Sequence, residues 1–105
     1  MFEKNTYITR GINESLPLEV ISLLWLKVQG VKDRKLDYLQ VFELKNTGTL
    51  ESPILEVKWS QEVPQHEETF KVQGTRVEEV EKVWIICSGE GTEEEYSTML
   101  LPEEY

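Results

Sequence analysis

A single stretch of this chain has the hydrophobic spacing of a helix, and this restricts the fold more than any other feature of the sequence. Residues 15–30 read SLPLEVISLLWLKVQG, in which Pro17 suits a first helical turn and Gly30 suits the exit. At about 100° per residue, five apolar side chains share one broad face: Val20, Ile21, Leu24, Trp25 and Val28. We predict one amphipathic helix whose apolar face packs on a sheet.

The other apolar runs have the spacing of β-strands. Six of them read as strands: 7–10, 36–45, 54–63, 68–74, 81–89 and 97–101. The runs at 36–45 and 81–89 carry apolar residues at both parities, which is typical of strands covered on both faces. We predict an α+β fold and a single domain, residues 1–105, in which one main amphipathic helix packs on a mostly antiparallel sheet of five or six strands.

The predicted helix carries a second, narrower apolar stripe. Leu23 and Leu26 fall on the side opposite the core face, in line with Glu19 and Gly30. Either a loop or tail of the same chain covers such a stripe, or a protein contact does. Leu23 and Leu26 are therefore candidate protein contacts, with a homodimer as one version of that contact.

The chain ends STMLLPEEY, in which three large apolar residues stand between clusters of glutamate. In an extended strand, Met99 and Leu101 point to one face and Leu100 to the other. We predict that the segment joins the sheet, with Met99 and Leu101 in the core and Leu100 under a neighbouring element or at a protein contact. Pro102 then ends the pairing, and residues 103–104 lie in solvent as charges that guard an exposed edge. A docking peptide is the alternative.

Acidic residues are unevenly distributed along the chain. It carries 20 acidic and 11 basic residues, a net charge of −9. Residues 1–61 hold eight acids and eight bases, whereas residues 62–95 hold ten acids and three bases. Because an acidic chain repels the phosphate backbone, we predict no nucleic-acid binding. The acidic half, with Glu78 and Glu79 as candidate protein contacts, is a solvated surface or meets a basic partner, in the extreme as a mimic of nucleic acid.

Side chains able to carry chemistry are few. The only cysteine, Cys87, lies in the most apolar run and is predicted to be a small buried side chain. The only histidine, His66, is placed in a polar connection between two strands and predicted to be solvated. Zinc spacings, a calcium loop and the glycine-rich phosphate motifs are all absent from the sequence. We predict no catalytic residue, no cofactor and no metal site.

Two classes of function remain open on these grounds. The first is an interaction or accessory module without catalysis, which binds a protein partner or forms a homo-oligomer. The second is a small-molecule binding or enzymatic domain with an aromatic pocket between helix and sheet, lined by Trp25, Tyr38, Trp59 or Trp84. We favour the first, because tryptophan more often packs in a core than lines a pocket.

The start of the chain has no signal-peptide pattern, and its longest nearly charge-free apolar stretch, 16–26, has 11 residues. A membrane-spanning helix needs about 20. The sequence therefore predicts a cytoplasmic protein that does not enter a membrane.

Five stretches resemble one known family: YITRGI, SLPLE, LDYLQVFEL, QEVP and STMLLPEEY. They span nearly the whole chain, which on these residues is identified as a member of domain-of-unknown-function family 960. The resemblance implies a small cytoplasmic protein of Firmicutes or of their phages and mobile elements. It implies no activity, ligand or catalytic residue.

Overall fold

The computed structural model describes all residues from Met1 to Tyr105 and has an α+β fold. The elements follow in the order β1 (Thr6–Ile8), α1 (Arg10–Ser15), α2 (Leu18–Gln29), β2 (Leu39–Asn46), β3 (Ile54–Gln61), β4 (His66–Gln73), β5 (Lys82–Ser88) and β6 (Tyr96–Leu100). A 3₁₀ turn, Pro102–Glu104, ends the chain. The predicted class is confirmed: one main helix accompanies a sheet of six strands.

The six strands form one sheet in the order β1-β6-β5-β2-β3-β4. Only β1 and β6 run parallel, and every other neighbouring pair is antiparallel. The strand β2 therefore has a neighbour on each side, and the two edges of the sheet are β1 and β4.

Both helices pack on the same face of the sheet, which we call the inner face. From α2, four side chains are buried there, Val20, Ile21, Leu24 and Val28, as the helical spacing predicts. The strands contribute every second residue to the same core cluster: Phe42, Leu44, Leu55, Val57, Trp59, Val83, Ile85, Cys87 and Met99. Burying one large apolar side chain contributes roughly 1.5–3 kcal/mol, so this face supplies most of the hydrophobic stabilisation. No helix is both long enough and apolar enough to cross a membrane.

The short helix α1 is a difference from the sequence prediction, which extends the first strand to Arg10. The strand instead ends at Ile8, because the Thr9 hydroxyl caps a helix and accepts a hydrogen bond of 3.3 Å from the N–H of Ile12. Ile12 and Leu16, one helical turn apart, are both buried in the core cluster. The Thr9 cap and the burial of Ile12 and Leu16 outweigh the poor helix propensity of Gly11.

A buried amide network closes one end of the inner face. Gln40 is fully buried and Gln61 is 4% exposed. The Gln61 Oε1 accepts hydrogen bonds from Gln40 Nε2 at 2.9 Å, from Arg34 at 3.1 Å and from the Asp37 N–H at 3.2 Å. The Gln40 Oε1 accepts one from Trp59 Nε1 at 2.7 Å. These bonds fix the connection between α2 and β2 to the ends of β2 and β3.

The C-terminal segment joins the sheet, as predicted, but as an interior strand. The strand β6 pairs antiparallel with β5 and parallel with β1, so that Met99 lies between Ile85 and Ile8. Met99 is fully buried in the core, and Leu101 packs against it. The prediction of an exposed edge guarded by glutamates is wrong, because β1 covers that side of β6.

Glu104 is also placed differently from the prediction, which leaves it free in solvent. Its carboxylate accepts hydrogen bonds from the Thr9 hydroxyl at 2.6 Å, from the Leu101 N–H at 2.8 Å and from the Gly11 N–H at 3.1 Å. We call this group the C-terminal clasp. The Thr9 hydroxyl, and then the Leu101 and Gly11 N–H groups, hold the pKa of Glu104 below its usual value, against a smaller opposing effect of burial.

We expect Glu104→Gln to lower the stability of the protein slightly at neutral pH. Because folding lowers the pKa of Glu104, its contribution is present above the unfolded-state value of about 4.5 and is lost as the pH falls through the folded-state value. The carboxylate is exposed, so the effect is less than about 1 kcal/mol. Urea unfolding should give the variant a lower free energy of unfolding than the native chain at pH 7, but not at pH 3. Glu103→Gln is the control, and equal losses from both variants would contradict the clasp.

Candidate functional site

The face of the sheet opposite the helices, which we call the outer face, has no helix on it. The buried apolar residues of both helices belong to the core cluster on the inner face. The end of the chain reaches one corner of the outer face, where the Tyr105 ring contacts the Trp84 ring edge-on with centroids 5.8 Å apart. A six-stranded sheet therefore presents most of one face to the surroundings.

Apolar and aromatic side chains gather on one half of this face. The register of the strands aligns them in a first row of Leu39, Ile86, Thr98 and Tyr7 and a second row of Val41, Trp84 and Leu100. The Tyr96 ring contacts the Tyr7 ring edge-on, with centroids 6.0 Å apart. We call the two rows together with Tyr96 the aromatic patch.

The aromatic patch is accessible. Tyr7 is 56% exposed and Tyr96 is 43% exposed. Most of the other members are half-buried by their neighbours in the sheet: Leu39, Val41, Trp84, Ile86 and Thr98. The patch continues towards the turn between β3 and β4 in a groove of about 500 Å³, which Leu39 and Val41 help to line. Contiguous apolar surface of this kind marks a binding face more often than it marks a plain solvent surface.

The other half of the outer face is charged, with the two signs interleaved. The register pairs Glu43 with Lys58 and Lys82, and pairs Glu56 with Lys45 and with a further lysine on β4. These charged positions comprise four lysines and three glutamates: Lys45, Lys58, Lys71, Lys82, Glu43, Glu56 and Glu67. The outer strand positions are thus close to neutral, although the whole chain has a net charge of −9.

The structure does not bring the sequence-predicted contacts together. Leu23 is half-buried and Leu26 is 65% exposed on α2, on the other side of the sheet from the aromatic patch. Glu78 and Glu79 are exposed and line an acidic notch of about 350 Å³. Leu100 is only 6% exposed, which agrees with its predicted position under a neighbouring element rather than with the alternative of a protein contact. Its register partner Trp84, which Tyr105 contacts, shows why: the chain's own end covers this corner.

His66 lies at the start of β4 rather than in a loop, which corrects the sequence prediction. Its Nε2 is 3.2 Å from Glu68 Oε2, and Arg34 lies 3.9 Å from the same oxygen. Cys87 is buried, as predicted. No group of three or more His, Cys, Asp and Glu side chains is arranged to hold a metal ion.

The aromatic residues suggested for a pocket between helix and sheet do not converge. Trp59 is 3% exposed and stacks on Phe42, with ring centroids 5.7 Å apart, inside the core. Trp25 packs against the same core, whereas Trp84 lies on the outer face. Tyr38 is 56% exposed, immediately before β2. The four side chains therefore line no common pocket.

The sequence does contain a signal for the aromatic patch. β2 and β5 each carry apolar residues on both faces, and this pattern predicts strands that are covered on both sides. Those that face away from the helices are Leu39, Val41, Trp84 and Ile86. In the structure the helices cover only the inner face, and the chain's own end reaches only the Trp84 corner of the outer face. Apolar residues on the second face of a strand are thus equally consistent with a surface that another molecule covers.

Comparison with known proteins gives two matches. Residues 5–104 match the family described as staphylococcal protein of unknown function, DUF960. A crystal structure described as a protein of unknown function from Enterococcus faecalis is similar, with a TM-score of 0.76 and 24% sequence identity over 99% of this chain and 94% of that chain. This second likeness shows a shared fold. No curated protein matches the sequence.

Proposed function

We propose that this chain, which belongs to the DUF960 family of staphylococcal proteins of unknown function, is a non-catalytic interaction module that binds another protein through the outer face of its sheet. The observation that carries the proposal is the aromatic patch, in which exposed Tyr7 and Tyr96 adjoin half-buried Trp84 and Ile86 on a face that no helix covers. Aromatic side chains dominate the energetics of protein interfaces.

The shape of the patch favours a protein over a small molecule. Small-molecule sites are concave and enclose most of their ligand. The aromatic patch lies on the open side of a sheet, with one groove of about 500 Å³ at its border, lined mainly by polar residues beside Leu39 and Val41. A flat surface suits the flat, well-packed centre of a protein interface, and the groove is able to take one side chain of the partner.

The charges of the outer face agree with a protein partner. Interleaved lysines and glutamates provide a polar rim beside the apolar centre, which is the usual anatomy of such an interface. RNA-binding domains also stack bases on the aromatic residues of an open sheet. Here the four lysines of the face are matched by three glutamates, so the face lacks the excess of positive charge that phosphates require.

Trp84 supplies a specific place for a polar contact. Its indole Nε1 is buried and has no hydrogen-bond acceptor within the chain. An unpaired buried N–H costs roughly 1–3 kcal/mol. A partner that offers an acceptor to this N–H recovers that free energy on binding.

The test is a double substitution, Tyr7→Ser with Tyr96→Ser, on the exposed part of the patch. Each truncated interface aromatic costs about 2 kcal/mol, or about 30-fold in affinity. The pair should therefore weaken binding to the native partner, captured from the source cells with tagged protein, by about 700-fold. Leu50→Ser is the matched control, because Leu50 is 82% exposed in the turn between β2 and β3. Unchanged binding by the double variant, with its fold intact by circular dichroism, would contradict the proposal.

A further inference from the structure

The two edges of the sheet differ in length. The β1 edge has three residues, whereas β4 forms an edge of eight. Among the chain's backbone hydrogen bonds, those outside the regular elements involve no residue of 66–73. The side of β4 that points away from β3 therefore has no backbone partner, and a free edge of this length is a template for another strand.

One hydrogen bond shows which backbone groups of β4 point away from β3, towards the free edge. The Gly74 N–H donates to the Pro53 carbonyl at 2.8 Å, and the register runs on from there through Leu55 and Val72. Because antiparallel partners alternate between bonded and non-bonded pairs, the even-numbered residues of β4 bond to β3. The N–H and C=O groups of the odd-numbered residues point outward: Glu67, Thr69, Lys71 and Gln73.

We infer that two copies of this chain pair through β4, antiparallel, about a two-fold axis at Thr69. In this register Glu67 of each copy lies opposite Lys71 of the second copy, and the two Thr69 residues lie opposite each other. Each of these pairs joins outward-facing groups, so each exchanges both backbone hydrogen bonds. Opposite charges and paired threonines across neighbouring strands both stabilise an antiparallel ladder.

The inner face of the same pairing is complementary as well. Glu68 of the second copy lies opposite Phe70. The Lys27 Nζ is 4.4 Å from the Phe70 ring centroid, so a positive charge lies near the position of that carboxylate. Leu26, at 65% exposure, lines a groove of about 360 Å³ together with His66 and Glu68 beside this edge. Pairing places the second copy next to Leu26, so the second copy provides the protein contact that the sequence predicts for this residue.

Pairing through β4 extends the sheet of six strands into one of twelve and joins the two outer faces side by side. The inference does not rest on the proposed function, because it uses the edge of the sheet rather than the aromatic patch. Two copies with a net charge of −9 each repel one another at long range. At physiological ionic strength that repulsion is screened beyond about 8 Å, whereas the paired charges across the ladder are in contact.

Light scattering coupled to gel filtration at physiological ionic strength tests the inference on the native chain. We expect a mass of twice 12.3 kDa at tens of micromolar protein. Lys71→Glu and Glu67→Lys, each alone, put like charges opposite each other and should weaken dimerisation about ten-fold or more. The double variant Glu67→Lys with Lys71→Glu restores opposite charges and should restore the dimer.

Two further variants separate the edge from general effects of charge and folding. Lys45→Glu is the matched control, because Lys45 faces the same Glu56 as Lys71 does but lies on β2, away from the edge; it should leave the dimer unchanged. Thr69→Pro removes an N–H that points outward, so it should yield a folded monomer. A native chain of 12.3 kDa mass under these conditions, or a dimer that survives Thr69→Pro and both single reversals, would overturn the inference.

Discussion

Removal of residues 98–105 should abolish cooperative folding. The deletion takes away most of β6, which lies between β5 and β1, and so breaks the ladder on both sides. It also removes Met99, which is fully buried, and Leu100, which is 6% exposed. Each such side chain contributes roughly 1.5–3 kcal/mol, and the loss of β1 pairing and of the C-terminal clasp adds to this. The sum approaches the whole stability of a domain, about 5–15 kcal/mol.

Circular dichroism during thermal unfolding measures this loss. The truncated chain should show no cooperative transition and a greatly reduced strand signal. Deletion of residues 104–105 alone is the control, because it removes the clasp and the Tyr105 ring but leaves β6 intact, and it should melt cooperatively at a somewhat lower temperature. A chain without residues 98–105 that melts like the intact protein would contradict the interior position of β6 and favour a docking peptide.

Gln40→Leu should be the most damaging single substitution among the polar residues. Gln40 is fully buried, accepts the Trp59 Nε1 hydrogen bond at 2.7 Å and donates to the Asp37 carbonyl at 2.8 Å and to Gln61 at 2.9 Å. Leucine fits the space but leaves the Trp59 N–H and the Asp37 carbonyl without partners. At roughly 1–3 kcal/mol for each of the two orphaned groups, we expect a loss of about 2–6 kcal/mol.

Urea unfolding at pH 7 quantifies this effect. Gln73→Leu is the matched control, since Gln73 is exposed at the end of β4, and surface substitutions of this kind change stability by only about 0.5 kcal/mol. A loss below 1 kcal/mol for Gln40→Leu would show that the amide network is dispensable. Because the network joins the loop after α2 to β2 and β3, we also expect faster amide exchange in residues 31–38 of the variant.

Local pattern was enough to predict the main helix and the strands of the sheet. The spacing of Val20, Ile21, Leu24 and Val28 fits only one face of a helix, and all four residues are buried in the structure. The alternation in Leu55, Val57 and Trp59 is equally clear, and these residues are buried on the inner face. Such patterns predict the elements because each one reports the periodicity of its own backbone.

The order of the strands was not predictable in this way. The pairing of β1 with β6 joins Thr6 to Ser97, and no local pattern reports a contact between residues so far apart in sequence. For this reason the sequence alone predicts an exposed edge at the ending and places Glu104 in solvent. The buried N-terminal Phe2, which is fully enclosed by the core, was missed for the same reason.

The candidate site escaped prediction for a different reason. Apolar residues at both parities show that two faces of a strand avoid water, but they do not show what covers each face. In β2, Phe42 is covered by the chain's own core, whereas Val41 is left on the outer face. The candidate contacts at Leu23, Leu26, Glu78 and Glu79 remain predictions, and of these the β4 edge offers a role to Leu26.

The central claim is that the outer face of the sheet is where this protein meets its partner. Site-specific photo-crosslinking in the source cells tests it most directly, with a photoreactive phenylalanine analogue placed at Tyr96 in the aromatic patch or at Leu50, which is 82% exposed elsewhere. We predict that the probe at Tyr96 yields a discrete adduct with one other protein and that the probe at Leu50 does not. The absence of an adduct from Tyr96, or the same adduct in equal yield from Leu50, would contradict the claim.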